Sequence, residues 1–183
     1  MSEYHQAFPR LGGDIFLTDG GIVKDSSVPR AERANPPLWH CPECARTFAN
    51  RNQTHTCQPL RSIDSHFDQK PPEIRKLFDR FTAILEQLGP VSILAEKTRI
   101  AFHVRMSFAV VVPRQRWLDG HLVLARRFES PRFRRIETFS PRNHLHTFRL
   151  TSIAELDSEF RRWMAAAYAV GNQEHLRGER RGS

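Results

Sequence analysis

All three cysteines of this 183-residue chain fall within seventeen positions, at Cys41, Cys44 and Cys57, and His55 stands two residues before the last of them. Two thiols at C-x2-C spacing reach one metal from a tight turn, and a second pair about ten residues later closes a tetrahedron, the closed geometry of structural zinc. Phe48, four residues after Cys44, matches the aromatic that packs against the metal in a zinc finger. The usual twelve-residue gap after Cys44 lands on Cys57, and no suitable ligand follows it, so the second pair reads as H-x-C. Cys41, Cys44, His55 and Cys57 are therefore read as a Cys3His zinc site. A reactive C-x-x-C pair and unliganded buried thiols are the alternatives, with His40 and His66 as spare ligands.

A second chemistry follows from charge. The chain carries a net +8, and between Lys97 and Arg149 stand twelve basic residues against three acidic ones, so the excess belongs to one contiguous segment. Lys97, Arg99, Arg105, Arg126, Arg127, Arg134, Arg135 and Arg142 are candidate phosphate ligands, joined by His144 and His146, which share a face if they lie on a strand. A merely basic surface is the competing reading, because Arg outnumbers Lys 24 to 4, a skew that genome composition alone produces. Phe108, Trp117, Phe128, Phe133 and Phe139 are candidate stacking surfaces or, more simply, core. No Walker loop, Rossmann glycine set, nucleophile elbow or His-Glu-x-x-His helix occurs, and no carboxylate pair lies near the histidines.

The elements that must position these groups are legible by period. Residues 1–37 read as an irregular arm, 38–58 as the finger, and 59–70 as a polar linker too poor in apolar residues to dock it firmly. Ile74, Leu77, Phe78, Phe81, Ile84, Leu85 and Leu88 follow helical spacing between Pro71-Pro72 and Gly89-Pro90. Alternation from Ile100 to Val112 is too long for one strand and predicts a break near Arg105 to Ser107. Asp119-Gly120 reads as a hairpin turn between 117–118 and 121–125. Strands are expected at 133–139 and 145–150, joined by a turn at 140–143. Ser152 and Glu155 form a capping box ahead of a helix with Ile153, Leu156, Phe160, Trp163, Met164, Ala167 and Tyr168 inward and Gly171 as its cap. A polar tail follows at 173–183. The expected fold is α+β over 71–172: an antiparallel sheet of four to five strands flanked by an N-terminal and a C-terminal helix, with a small N-terminal zinc finger.

Lys70-Pro71-Pro72, Phe78-Asp79-Arg80-Phe81, Leu88-Gly89-Pro90-Val91, Lys97-Thr98-Arg99-Ile100-Ala101-Phe102, Phe148-Arg149-Leu150 and the helix ending Ala167-Tyr168 resemble a bacterial family catalogued as a domain of unknown function. The resemblance spans about residues 65–176, and some relatives carry a finger like the one at Cys41 to Cys57. It implies a fold and no reaction.

Three functions are consistent with these residues. The first is a zinc-containing nucleic-acid-binding protein gripping phosphates with the arginine-rich segment. The second is an enzyme or small-anion receptor centred on Lys97, His144 and His146. The third is a protein-interaction adaptor whose finger docks a partner. The first is expected, in the cytoplasm, because no long apolar run or N-terminal signal sends the chain to a membrane or out of the cell, and clustered thiols suit a reducing compartment.

Overall fold

The helical stripe closes first. Ile74, Leu77, Phe78, Phe81, Ile84 and Leu85 form the buried face of α1 (Pro72–Glu86), whose first position is a proline that gives up no hydrogen bond there. The computed structural model describes residues 36–51, 55 and 57–176; the expected arm over 1–35, residues 52–54 and 56 of the finger, and the tail from 177 lie outside the described residues.

Eight strands follow the chain: β1 (Trp39–His40), β2 (Thr47–Phe48), β3 (Ser92–Ala95), β4 (Ile100–His103), β5 (Ser107–Pro113), β6 (Leu118–Leu124), β7 (Phe133–Ser140) and β8 (Asn143–Leu150). β1 and β2 pair within the finger, and the others form one antiparallel sheet ordered β3-β4-β5-β6-β8-β7. The sheet thus has six strands instead of four to five. The addition is β3, a four-residue edge paired with β4. The expected break in the long alternating run is present between β4 and β5, with a register shift after Phe102 that admits both Phe108 and Ala109 to the core.

The Asp119-Gly120 expectation is overturned. Both residues lie inside β6, opposite Val112 and Val111, and the chain reverses earlier, where the Arg114 N–H donates to the Trp117 carbonyl. Gly120 serves packing instead of a turn. A Cβ there would lie 2.4 Å from the Val110 carbonyl oxygen and 2.6 Å from Cζ of Phe148.

The second helix, α2 (Ser158–Gly171), begins at Asp157, whose carboxylate accepts from the Phe160 N–H. The Ser152–Glu155 capping box exists but closes a 3-10 turn ahead of that helix, and Ile153 is exposed. Gly171 is the last helical residue, not a left-handed cap; it lets Phe108 pack within 2.6 Å of where a Cβ would stand. Both helices cover the same face of the sheet: Phe81 of α1 meets Phe102, Phe148 and also Phe160 of α2.

The described residues between 36 and 176 belong to one compact unit. The finger is bonded to the sheet, contrary to the loose tether expected from 59–70. The Ala49 N–H donates to the Arg105 carbonyl (3.1 Å), and Nε2 of His103 to the Thr47 carbonyl (3.0 Å). No described helix is long and apolar enough to cross a membrane.

Candidate metal centre and the placement of the basic residues

The backbone between Cys41 and Arg46 folds into a knuckle. The Ala45 N–H donates to the Cys41 carbonyl and the Cys41 N–H to the Arg46 carbonyl, both at 2.9 Å. Ala45 adopts φ 57, the left-handed region that disfavours a Cβ. The turn aims both sulfurs the same way, and His55 and Cys57 complete a group whose ligand atoms all lie within 4.8 Å of one another. Cys41 Sγ is 3.7 Å from Cys57 Sγ, and His55 Nε2 is 3.5 Å from Cys44 Sγ and 3.4 Å from Cys57 Sγ. These are the four expected ligands; His40 and His66 stand outside the group. Phe48 packs on the His55 ring at 4.2 Å between centroids and is 5% exposed.

The thiols do not titrate alike. Desolvation raises Cys44, but the Arg46 backbone and guanidinium, followed by Cys41 and His55, more than offset it and bring the thiol down to about 6. Cys57 is pushed up to about 12 by the Glu43 side chain, by desolvation and by the two neighbouring thiols. Like charges so close oppose one another, and a divalent cation lets three thiolates coexist at neutral pH. The Arg46 Nε–H, donated to Cys44 Sγ at 3.4 Å, adds a compensating positive charge beside the ligands.

The basic residues divide between two ends of the sheet. Ile100, Pro113, Leu118 and Leu150 mark one end, where Trp117 sits; His103, Leu124 and His144 mark the other. At the Trp117 end most cations are committed. Arg99 pairs with Glu96 at 2.5 Å, while Arg114 and Arg149 share Asp119 at 3.3 and 2.7 Å. Arg149 and Arg116 stack on Trp117 at 3.9 and 5.5 Å. Arg132 donates to both Asp157 oxygens at 2.9 Å and covers Phe160 and Trp163. A cleft of about 290 Å³ here is lined by Arg132, Arg134, Arg149, Glu155 and Phe160. Its Glu155 accepts from Thr151 and Ser152, and Arg116, Arg134 and the exposed Lys97 have no carboxylate partner among the described residues at this end.

Arg126, Arg127 and Arg142 lie at the His144 end, all exposed. Leu124 and Thr138 both pair with His144, so Arg126, Phe139 and Arg142 stand one or two positions from that row. Phe128 and Phe139 are the exposed phenylalanines of the described residues, at 39% and 69%, and both belong to this end. Of the expected stackers, Phe108 and Phe133 are core, and Trp117 is in contact with two guanidiniums. Arg135 sits mid-strand, paired with Glu137 at 2.6 Å.

Two expected anion ligands are structural. Arg105 is 8% exposed; its guanidinium donates to the Pro36 carbonyl (2.6 Å) and to Oε1 of Gln173 (3.1 Å), and this burial takes it away from any exposed phosphate-binding face. His146 is fully buried. The Phe128 N–H donates to its Nε2, so the proton rests on Nδ1 and is donated to the His144 carbonyl, each at 3.0 Å. His144 is half-buried with Nδ1 3.0 Å from Thr138 Oγ1, and it stands at the opposite end of the sheet from Lys97, so Lys97, His144 and His146 converge on no common site.

Burial holds His146 and His103 below the usual histidine range, and burial with the nearby Arg99 takes His121 to about 4. The unfolded chain binds protons that the fold refuses, so the stability these residues contribute is full above about pH 6.5 and lost as pH falls below it. Calorimetry should show a melting temperature that declines from pH 7 to pH 5 with proton uptake on unfolding. His146→Gln should flatten part of that slope independently of the metal ligands; an identical slope would remove His146 from the account.

No curated protein and no solved structure matches the chain at a significant level. The domain of unknown function DUF5655 matches residues 63–171, the span from the 3-10 turn before α1 to the last residue of α2, and the chain belongs to that family.

Proposed function

We propose that the protein is a zinc-stabilised nucleic-acid-binding domain that holds phosphates at the His144 end of its sheet. The reading is carried by the coincidence, at one end, of exposed Arg126, Arg127 and Arg142 with the two exposed phenylalanines of the described residues. Arginine forks suit phosphate oxygens, and the Arg127–Glu129 ion pair is solvent-exposed at both partners and so contributes little that a phosphate could not replace. Zinc is proposed because a tetrahedron with its bond lengths places two sulfurs about 3.8 Å apart and sulfur and nitrogen about 3.5 Å apart. The observed 3.7, 3.5 and 3.4 Å match. The finger lies over β4, three strands from β8 and so about 14 Å from the arginines, close enough to widen the same surface.

Binding to a mixed-sequence oligonucleotide should weaken steeply with salt. The Arg126→Ala, Arg127→Ala double variant should reduce the log-log slope by about two, one for each lost phosphate contact. Lys97→Ala, Arg99→Ala at the other end should leave it unchanged. The reverse pattern would move the interface to the Trp117 end, and no binding at low salt would end the proposal.

A further inference from the structure

We infer that the His144 end takes a single strand rather than a duplex, with bases stacked on Phe139 and Phe128 while the arginines follow the backbone. This rests on the nucleic-acid reading above and adds the ligand class. Phe139 is the extra residue of a register shift between Thr138 and Ser140, which turns its ring out at 69% exposure on the outermost strand. Phe128 follows Arg126 and Arg127 directly, and its backbone is anchored by the N–H donated to buried His146, so a half-exposed ring is held on a fixed support. Exposed aromatic faces interleaved with cations offer what a single strand presents, unstacked bases and a charged backbone; a duplex keeps its base faces covered.

An added protein strand is the competing occupant of an open edge, and β7 is poorly made for it. Register shifts at both ends of β7 leave only Arg135 to Thr138 in regular pairing with β8. Bulges and charged side chains are the devices that keep edges from pairing. The local charge also favours a polyanion, since the rings stand beside Arg126, Arg127 and Arg142.

The test is anisotropy with labelled oligo-dT and oligo-U of about twelve nucleotides, within the span of small single-strand sites, and a duplex of equal length. It uses the full chain loaded with zinc. Phe139→Ala should weaken single-strand binding about tenfold and leave the salt slope, the melting temperature and duplex binding unchanged, and Phe139→Trp should restore affinity. Equal affinity for both forms, insensitive to Phe139→Ala, overturns the single-strand inference and leaves the phosphate reading standing. No binding to either form at low salt overturns both. A dimer on size exclusion that Phe139→Ala dissociates, without strand preference, overturns the inference by assigning the ring to self-association.

Discussion

Chelation of the metal should lower the melting temperature by about 10–15 °C, while α1, the six-stranded sheet and α2 still unfold as one cooperative body. The finger has too little core to persist without its metal. Its loss exposes Phe48, worth about 2 kcal/mol of burial. It also removes the Thr47 carbonyl from buried His103 and the Ala49 N–H from the Arg105 carbonyl, at about 1 kcal/mol or more each. A sum near 4 kcal/mol converts at about 2–4 °C per kcal/mol for a chain of this size. Cys41→Ser should reproduce the drop, and elemental analysis should find about one zinc per chain. An unchanged melting temperature after verified metal loss would mean that the finger contributes nothing to the sheet; absence of metal in protein purified without chelators would dispose of the centre itself.

Gly120→Ala should be comparably damaging without touching any ligand. The methyl group would meet the Val110 carbonyl at 2.4 Å, and that oxygen belongs to the backbone of the neighbouring strand, where yielding means breaking the β5–β6 ladder. Overpacking with backbone displacement costs about 3 kcal/mol or more, equivalent to about 9 °C or more of melting temperature. Thermal melts of the purified variant decide the matter. Combining it with Phe148→Ala should recover little, because removing the ring relieves only the second overlap. A single variant that melts within a degree or two of the parent would show that the strands can separate slightly at no cost.

The Cys/His group was legible because a set of residues able to hold a metal is marked by residue type and local spacing, and Cys41, Cys44, His55 and Cys57 all lie on one short stretch. The stripe of α1 and the break before Ser107 were legible for the same reason, being periodicities within one element. β3 escaped because Ser92–Ala95 is four residues long and half-exposed, too short to show a period. Asp119-Gly120 misled because a glycine that yields space to Phe148 and one that supplies a positive φ are written with the same letter. Only the pairing of β6 with β8 separates them. The charge pattern had the right sign and no geometry: Arg105 and Arg126 look equivalent in the chain, yet one is enclosed by Pro36 and Gln173 and the other faces solvent.

Arg105 also bears on the order in which the chain assembles. Its side chain reaches back 69 residues to Pro36 and forward 68 to Gln173, and its amide and carbonyl join Gly171 and Ala49. Loops of that length are slow to close, so these contacts form only after hairpins and helices that need no such closure. The metal knuckle, local in sequence, can be complete while its seat on the sheet is still being made. Assembly is then expected to finish at the junction where Pro36 and Gln173 meet on Arg105, and an opening of either flank is expected to begin there as well.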